Sequence, residues 1–208
     1  MTYLVLGSNS FGGSYFVDMA LSLGHKVIGI SRSSEPNDFY LKYKTNSNLN
    51  YFEFYKKDLN ADLAEIIDII EEKKPEIIVD FAGQGMVAPS WEQPWQWYRT
   101  NIVSKSKLHH ALLNKKWLSK YIRVSTPEVY GHFEGLIPTD APYKPSTPYA
   151  VSHAAIDMSL LALQREFGFP VILTRFANFY GAGQKLYRII PKALLFAKCG
   201  RKLPLHGG

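Results

Sequence analysis

Short runs of aliphatic and β-branched residues alternate along the chain with segments in which apolar residues recur every three or four positions. The runs have the length of strands, and the recurring segments have the periodicity of amphipathic helices. Six strands are predicted, at residues 3–6, 26–30, 51–55, 76–81, 121–125 and 171–174. Helices are predicted up to about residue 23 and at 61–72, 94–114 and 148–167, the last with Thr147 as N-cap and Pro148 as first helical residue.

This alternation predicts an α/β fold with a Rossmann-type, doubly wound parallel sheet. The strands are continuously apolar, which is typical of a sheet buried on both faces. The sheet is complete by about residue 180, so residues 1–180 are expected to form one domain. Residues 181–208 are predicted to begin a small C-terminal substrate domain that is incomplete, because no closing element follows the last residues, Leu205–Gly208.

The composition narrows the class of protein. A hydrophobic share of 46% excludes disorder. No apolar run approaches the roughly 18 residues of a membrane span, and the N-terminus lacks the basic region of a signal peptide. The single cysteine, Cys199, excludes an internal disulfide and suits a cytoplasmic protein. No metal site is expected, since His109 and His110 are adjacent on a helix and point different ways.

A glycine-rich turn follows the first strand and opens the first helix. Gly7, Ser10 and Gly13 occupy the three key positions of a G-x-x-G-x-x-G spacing, and Phe11 lies between the last two. Small residues there let a pyrophosphate approach backbone N–H groups at a helix N-terminus. The turn therefore predicts a dinucleotide site within residues 1–180, and a plain tight turn is the alternative.

The end of the second strand carries Ser31 and Arg32 where an acidic ribose-binding residue is expected. An arginine without a neighbouring carboxylate suits a 2′-phosphate, so NADP is slightly favoured over NAD. The alternative is a solvated loop arginine. After the third strand, Asp58 and Leu59 are a candidate contact to the adenine edge, and an N-cap aspartate ahead of Ala61 is an equally good interpretation.

Further polar residues follow the fifth strand and open the next helix. Ser125, Thr126 and Glu128 come at the carboxyl end of a parallel strand, where ligands bind in open α/β sheets. Tyr149 and His153 are four residues apart, so they share one face of the helix. Together with the nucleotide turn, this order of residues is specific for a catalytic site.

The chain thus resembles the extended short-chain dehydrogenase/reductase family, and within it the nucleotide-sugar 4,6-dehydratases and epimerases. The stretches that carry the resemblance are GSNSFGG, KKDL, DFAGQG, STPEVYG, STPYAVSH and RFANFYGAGQ. The family combines a Rossmann domain with a small substrate domain, and its bound nicotinamide oxidises the sugar at C4 and later returns the hydride. The resemblance also implies that Phe81, Ala82 and Gly83 line the cofactor site.

The resemblance implies a role for each matching residue. Ser125 and Thr126 match positions that hold the C4 hydroxyl, and Tyr149 matches the base that takes its proton. Glu128 matches the dehydratase residue that removes the C5 proton. Asn178 and Arg188 match positions that line the site of the sugar diphosphate, so a nucleotide-diphosphate sugar is the expected ligand.

Two departures from the family pattern leave alternatives open. His153 stands where the family has a lysine that binds the nicotinamide ribose and lowers the pKa of the tyrosine. Pro127 stands where dTDP-glucose dehydratases carry an acidic residue. The alternatives are a nucleotide-sugar 4-epimerase and a dinucleotide-binding protein weakened by His153. Because the ammonium is missing, His153→Lys is expected to raise turnover or tighten nicotinamide binding.

The net charge of +6 comes from one end of the chain. Residues 167–208 contain seven lysines and arginines and no acidic residue. A basic region of this size can attract a small dianionic ligand. Nucleic acid is not an expected partner, because the basic and aromatic residues form no recognisable module. A homodimer is expected, through the helix near Trp91 and Trp95 and the helix bearing Tyr149; core packing of the tryptophans is the alternative.

Overall fold

In the computed structural model, which describes residues 1–204, six strands form one parallel sheet. They are β1 (Thr2–Leu6), β2 (Lys26–Ser31), β3 (Phe52–Lys56), β4 (Ile77–Asp80), β5 (Lys120–Ser125) and β6 (Val171–Arg175). Their order across the sheet is β3-β2-β1-β4-β5-β6, and every neighbouring pair is parallel. The predicted doubly wound sheet is therefore confirmed. The strand order reverses between β1 and β4, where such sheets open a ligand crevice at their carboxyl edge.

Helices follow most of the strands. They are α1 (Phe11–Ser22), α2 (Leu63–Lys73), α3 (Ala88–Glu92), α4 (Pro94–Tyr98), α5 (Lys105–Ala111), α6 (Pro148–Phe167) and α7 (Ile189–Lys198). The predicted start of α6 is confirmed, because the hydroxyl of Thr147 accepts a 3.1 Å hydrogen bond from the backbone N–H of Ala150. The residues that end the chain, Leu205–Gly208, lie outside the described residues.

The long helix predicted over residues 94–114 is confirmed from Pro94 to Ala111, although it is not a regular α-helix throughout. A short helix that was not predicted, α3, precedes it and ends at Gln93, whose φ of −137° and ψ of 62° are not helical, and Pro94 then begins α4. The chain continues through a π-helical segment, Arg99–Ser104, before α5. A π turn inserts one extra residue, so the faces of the helix rotate past it. Asn101, within this segment, is fully buried.

Apolar layers cover both faces of the sheet. Leu4 and Leu6 of β1 pack in one cluster with residues of α2, α5 and α6, such as Ile66, Leu108 and Leu160. Between them in sequence, Val5 points to the opposite face and packs in a second cluster, whose buried members are Val5, Val17, Ala20, Leu21, Val27, Leu41 and Tyr43. Alternate strand residues face opposite sides. The prediction of a sheet buried on both faces is confirmed.

The three tryptophans of the α3–α4 region differ in environment. Trp97 is buried, whereas Trp91 and Trp95 are 63% and 61% exposed. Core packing therefore accounts for Trp97 alone, and the predicted dimer contact through the exposed pair stays a prediction. No helix within residues 1–204 has the length and apolar character to cross a membrane.

Candidate active site

A cleft opens at the carboxyl edge of the sheet, above β1, β2 and β4. Of the residues predicted to bind a cofactor, its walls contain Gly7, Ser10, Ser31, Arg32, Asp58, Leu59, Phe81, Ala82 and Gly83. The cleft also contains residues that sequence reasoning missed, among them Asn9, Ser33, Lys57, Asn60, Gln84 and Thr100. The glycine turn, the end of β2 and the end of β4 thus form one elongated site.

The glycine turn is packed too tightly for larger side chains. Gly7 has a φ of +79°, and a β-carbon there would lie 2.8 Å from the backbone nitrogen of Ala82. A β-carbon on Gly13 would overlap the carbonyl oxygen of Gly7. Ser10 caps α1, since its hydroxyl accepts a 3.0 Å hydrogen bond from the N–H of Gly13. Phe11 and Gly13 lie outside the cleft wall; Gly13 supports the turn, and the ring of Phe11 packs 5.1 Å from that of Tyr15.

The end of β2 is fixed by hydrogen bonds to the glycine turn. The hydroxyl of Ser31 accepts a 3.0 Å bond from the N–H of Asn9, and the amide of Asn9 donates to the carbonyl of Ser33. Arg32, between the two serines, is exposed at the rim of the cleft and makes none of the ion pairs found in residues 1–204. Its guanidinium is therefore available to an anionic group.

Asp58 organises the turn that follows β3. Its carboxylate accepts a 2.6 Å hydrogen bond from the N–H of Asn60, and its own N–H donates to Asp62. Helix α2 begins at Leu63, so the alternative that Asp58 is the N-cap of a helix beginning near Ala61 is wrong. Asp58 caps a turn and remains in the wall of the cleft.

Asn101 holds the far wall of the cleft in place. Its side chain accepts a 2.8 Å hydrogen bond from the N–H of Gln84 and donates to the Gln84 carbonyl and to Ser152 on α6. Sequence reasoning missed this residue because it placed position 101 inside a regular helix. An asparagine amid apolar helical positions was the available signal.

Thr126, Glu128 and Tyr149 meet beyond β5. The hydroxyl of Thr126 accepts a 3.2 Å bond from the N–H of Glu128, at the start of the 3₁₀ turn Pro127–Tyr130. Burial raises the pKa of Tyr149, and a side-chain hydrogen bond with Thr126 opposes that effect. Glu128 is exposed, and the part of it that is buried raises the pKa of its carboxyl. Three of the five residues predicted to be catalytic are thus brought together.

The structure places Ser125 differently from Thr126. Its hydroxyl donates a 2.6 Å hydrogen bond to the buried carboxylate of Asp157, and Ser125 is 5% exposed. A hydroxyl has one hydrogen to donate. That hydrogen is directed into the protein, so Ser125 could contact a sugar hydroxyl only as an acceptor, and its predicted role stays a prediction.

His153 lies beside Tyr149, with the two ring centroids 4.6 Å apart. It is 7% exposed, and its Nδ1 lies 3.1 Å from Nη2 of Arg123. Burial, followed by the charges of Arg123 and Lys105, holds the pKa of His153 well below its ordinary value. The imidazole is therefore neutral at pH 7 and can offer one N–H.

The two predicted substrate residues lie on the C-terminal side of the site. Asn178 and Arg188 are exposed, and Arg188 precedes α7. The charge of Arg188 acts to lower the pKa of Tyr149, which places the guanidinium within electrostatic reach of the phenol. Within residues 1–204, no three His, Cys, Asp or Glu side chains are grouped to hold a metal ion.

The curated proteins that resemble this chain include several named as dTDP-glucose 4,6-dehydratases. The chain is 29% identical to dTDP-glucose 4,6-dehydratase of Xanthomonas campestris pv. campestris (strain B100), over 99% of this chain and 61% of the relative. It is 31% identical to the Haemophilus influenzae protein of that name, over 100% of this chain and 64% of the relative. The chain therefore spans less than two thirds of the length of these relatives.

Solved structures of similar fold cover the whole chain. One is dTDP-glucose 4,6-dehydratase from Bacillus anthracis in complex with NAD, with a TM-score of 0.84, 30% identity and 64% of that chain covered. Another is UDP-glucose 4-epimerase from Thermotoga maritima with UDP-glucose, with a TM-score of 0.83, 27% identity and 66% covered. The sequence profile of the NAD dependent epimerase/dehydratase family matches residues 3–208. The chain belongs to that family.

Proposed function

We propose that this chain carries the dinucleotide site and the catalytic residues of a nucleotide-sugar 4,6-dehydratase. The observation that supports this most directly is the meeting of Thr126, Glu128 and Tyr149 beyond the carboxyl end of β5. A carboxylate is a suitable base for a C–H next to a ketone when its pKa lies above the ordinary range. Glu128 meets that condition, because partial burial raises its pKa.

The cleft fits a nicotinamide dinucleotide. The first turn of α1 leaves backbone N–H groups without helical acceptors, and Gly7 and Gly13 keep that turn free of side chains. Asp58 and Leu59 would hold the adenine end, and Phe81, Ala82 and Gly83 the middle of the cofactor. A bound nicotinamide would supply the reversible oxidation of the sugar at C4.

Within this proposal, each residue has a task at a stated atom. The phenol oxygen of Tyr149 removes the proton of the C4 hydroxyl, and Thr126 orients that hydroxyl. Glu128 then takes the C5 proton and passes it to the departing C6 hydroxyl, since Pro127 offers no acidic group. Asn178 and Arg188 bind the sugar diphosphate. Residues 181–208 belong, in this proposal, to the substrate domain.

For the cofactor, NADP is slightly preferred in our proposal, because the exposed Arg32 has no acidic neighbour at the end of β2. The related Bacillus anthracis dehydratase, by contrast, was crystallised in complex with NAD. The second candidate activity is 4-epimerisation, favoured by the comparable structural similarity to the UDP-glucose 4-epimerase. Epimerisation needs Tyr149 but no base at C5.

Mass spectrometry of products separates these activities. The protein is incubated with dTDP-, UDP-, CDP- and GDP-hexoses, with Tyr149→Phe as the inactive control. Loss of one water from a hexose supports the dehydratase, and an unchanged mass with inverted C4 stereochemistry supports the epimerase. Binding of NAD or NADP without turnover of any sugar would support the third alternative, a dinucleotide-binding protein of weakened activity. The neutral imidazole of His153 favours that alternative.

A further inference from the structure

A group of charged side chains is buried directly behind His153. Lys105 lies 2.6 Å from the carboxylate of Asp80, and the guanidinium of Arg123 lies between Asp80 and Asp157, at 3.5 and 3.8 Å. Arg175 approaches the other oxygen of Asp157 at 3.0 Å. All of these groups except Arg175 are at most 1% exposed. Burial of this many charges costs free energy even when each charge has a partner. We therefore expect the group to have a specific role.

The contact between Arg123 and His153 fixes the tautomer of the imidazole. Nη2 of Arg123 lies 3.1 Å from Nδ1 of His153. A guanidinium has donors only, so Nδ1 must be the acceptor and the ring hydrogen must be on Nε2. A doubly protonated ring would direct an N–H at the guanidinium. Arg123 therefore favours a single protonation state, neutral with Nε2–H.

The other cations around His153 also disfavour its protonation. The cations facing His153 are Arg123 on β5, Lys105 on α5 and Arg175 on β6, and the carboxylates behind them are Asp80 on β4 and Asp157 on α6. Tyr149 is the remaining titratable neighbour. Three cations against two carboxylates leave one positive charge next to a neutral ring.

We propose that Arg123 is a positioning residue, which holds His153 as the Nε2–H tautomer so that His153 donates one hydrogen bond to the nicotinamide ribose. In the same proposal, the guanidinium of Arg123, which lies behind the imidazole of His153, supplies the positive charge that the family takes from a lysine at position 153. The ribose contact rests on the proposed function; the tautomer does not.

This relationship reverses the expectation for His153→Lys. An ammonium at position 153 would raise the net charge of this buried group from one to two positive charges, and it would lie against Arg123 in a nearly solvent-free site. The single substitution is therefore expected to destabilise the protein and to weaken cofactor binding. The double variant Arg123→Met/His153→Lys restores the original charge and is expected to recover both.

The tautomer is measured on ligand-free, ¹⁵N-labelled protein by long-range ¹H–¹⁵N correlation, with His153→Gln used to assign the signal among the six histidines. We expect Nε2–H in the native protein from pH 6 to 8. Arg123→Met is expected to give mixed tautomers and on the order of tenfold weaker NAD binding, and Arg123→Lys to keep the native signal. A protonated ring, an Nδ1–H signal, or an unchanged signal in Arg123→Met would overturn the proposal.

If Arg123→Met does not fold, the comparison of His153→Lys with the double variant gives an independent test. Thermal unfolding and fluorescence titration with NAD and NADP are compared for the native protein, His153→Lys and the double variant. A single variant as stable as the native protein, with tighter cofactor binding, would refute the role of Arg123. An Nε2–H signal in a native protein that binds no nicotinamide would instead refute the proposed function and support the tautomer assignment.

Discussion

Ser125 and Asp157 form a 2.6 Å hydrogen bond beside the candidate active site, although they belong to different elements, β5 and α6. The bond directs the hydroxyl of Ser125 into the protein, while the next residue, Thr126, faces Glu128 and Tyr149. We therefore expect the two neighbouring hydroxyls at the end of this strand to have separate tasks, a structural one for Ser125 and one in the candidate site for Thr126.

The first prediction compares these two hydroxyls. Ser125→Ala removes a donor from a buried carboxylate and is expected to lower the free energy of unfolding by about 1–3 kcal/mol, with little change in KM. Thr126→Val is expected to lower kcat at least tenfold, and Thr126→Ser to retain most of the activity. Urea denaturation and steady-state kinetics measure both. Equal loss of kcat in Ser125→Ala and Thr126→Val at unchanged stability would contradict the assignment.

The second prediction concerns Glu128 as a base. A base works only when deprotonated, and partial burial raises the pKa of this carboxyl. The rate of dehydration should therefore fall as the pH drops through a value above the ordinary range of glutamate. Glu128→Gln is expected to lower dehydration by about 10²–10⁴-fold where Glu128 is deprotonated in the native protein, and the difference should shrink at lower pH.

The matched control is Glu134→Gln, which changes an exposed carboxyl in the same loop region. It should preserve both the rate and the acidic limb of the pH profile. An unchanged acidic limb in residual Glu128→Gln activity would assign that limb to another group.

The third prediction isolates the tight packing of the glycine turn. Gly7 and Gly24 have nearly the same left-handed backbone, with φ of +79° and +76°. A β-carbon would meet the backbone of Ala82 at position 7 but nothing within 4 Å at position 24. Both alanine variants suffer the backbone strain of about 1 kcal/mol, and only Gly7→Ala also displaces the cleft wall.

We therefore expect Gly7→Ala to be less stable than Gly24→Ala by about 1–3 kcal/mol and to bind dinucleotide at least tenfold more weakly. Chemical denaturation and fluorescence titration give the two quantities. Equal behaviour of the variants would mean that the turn relaxes away from Ala82.

The sequence predicted the strands and the long helices well, and it missed the finer structure after β4. Each strand is a short apolar run with polar or glycine-containing flanks, so all six were found within one or two residues. The segment after β4 was harder to predict. Its periodicity correctly indicated the helix that begins at Pro94, but it revealed neither the short α3 that ends at Gln93 nor the π-helical segment that contains Asn101.

The site was predicted where local motifs decide it. The glycine turn, the end of β2 and the Thr126–Glu128 turn are short segments whose residues act near their place in the chain. Arg123 and Asp157 could not be assigned in this way. Their partners are His153 and Ser125, which lie 30 and 32 residues away in sequence, and only the fold brings them together.

The fourth prediction tests cofactor choice at the end of β2. Arg32→Ala is expected to weaken NADP binding by about tenfold and to leave NAD binding nearly unchanged, because the guanidinium would pair with the 2′-phosphate alone. Ser31→Asp, which adds a carboxylate to the cleft, should favour NAD further. Fluorescence titration of the bound nicotinamide gives both dissociation constants. Equal losses for NAD and NADP in Arg32→Ala would show that Arg32 does not read the 2′ position.

The last prediction concerns acid sensitivity. His109 is fully buried, with Nε2 2.9 Å from the hydroxyl of Tyr121, and that hydroxyl donates to Asp80. Burial lowers the pKa of His109 from 6.5 to about 3. Between these values the unfolded chain binds a proton that the folded protein does not, so stability falls as the pH drops from 6.5 towards 3.

The contribution of His109 approaches about 1.4 kcal/mol per pH unit well below pH 6.5. The buried His153, whose pKa is also lowered, adds to the slope. His109→Gln retains a side-chain donor for Tyr121 and cannot titrate, so it should reduce the slope by about half, whereas His110→Gln, at the exposed neighbouring position, should leave it unchanged. Urea denaturation at intervals from pH 7 to 4 measures the slopes, and a slope in His109→Gln equal to that of the native protein would show that His109 does not remain neutral in the folded state.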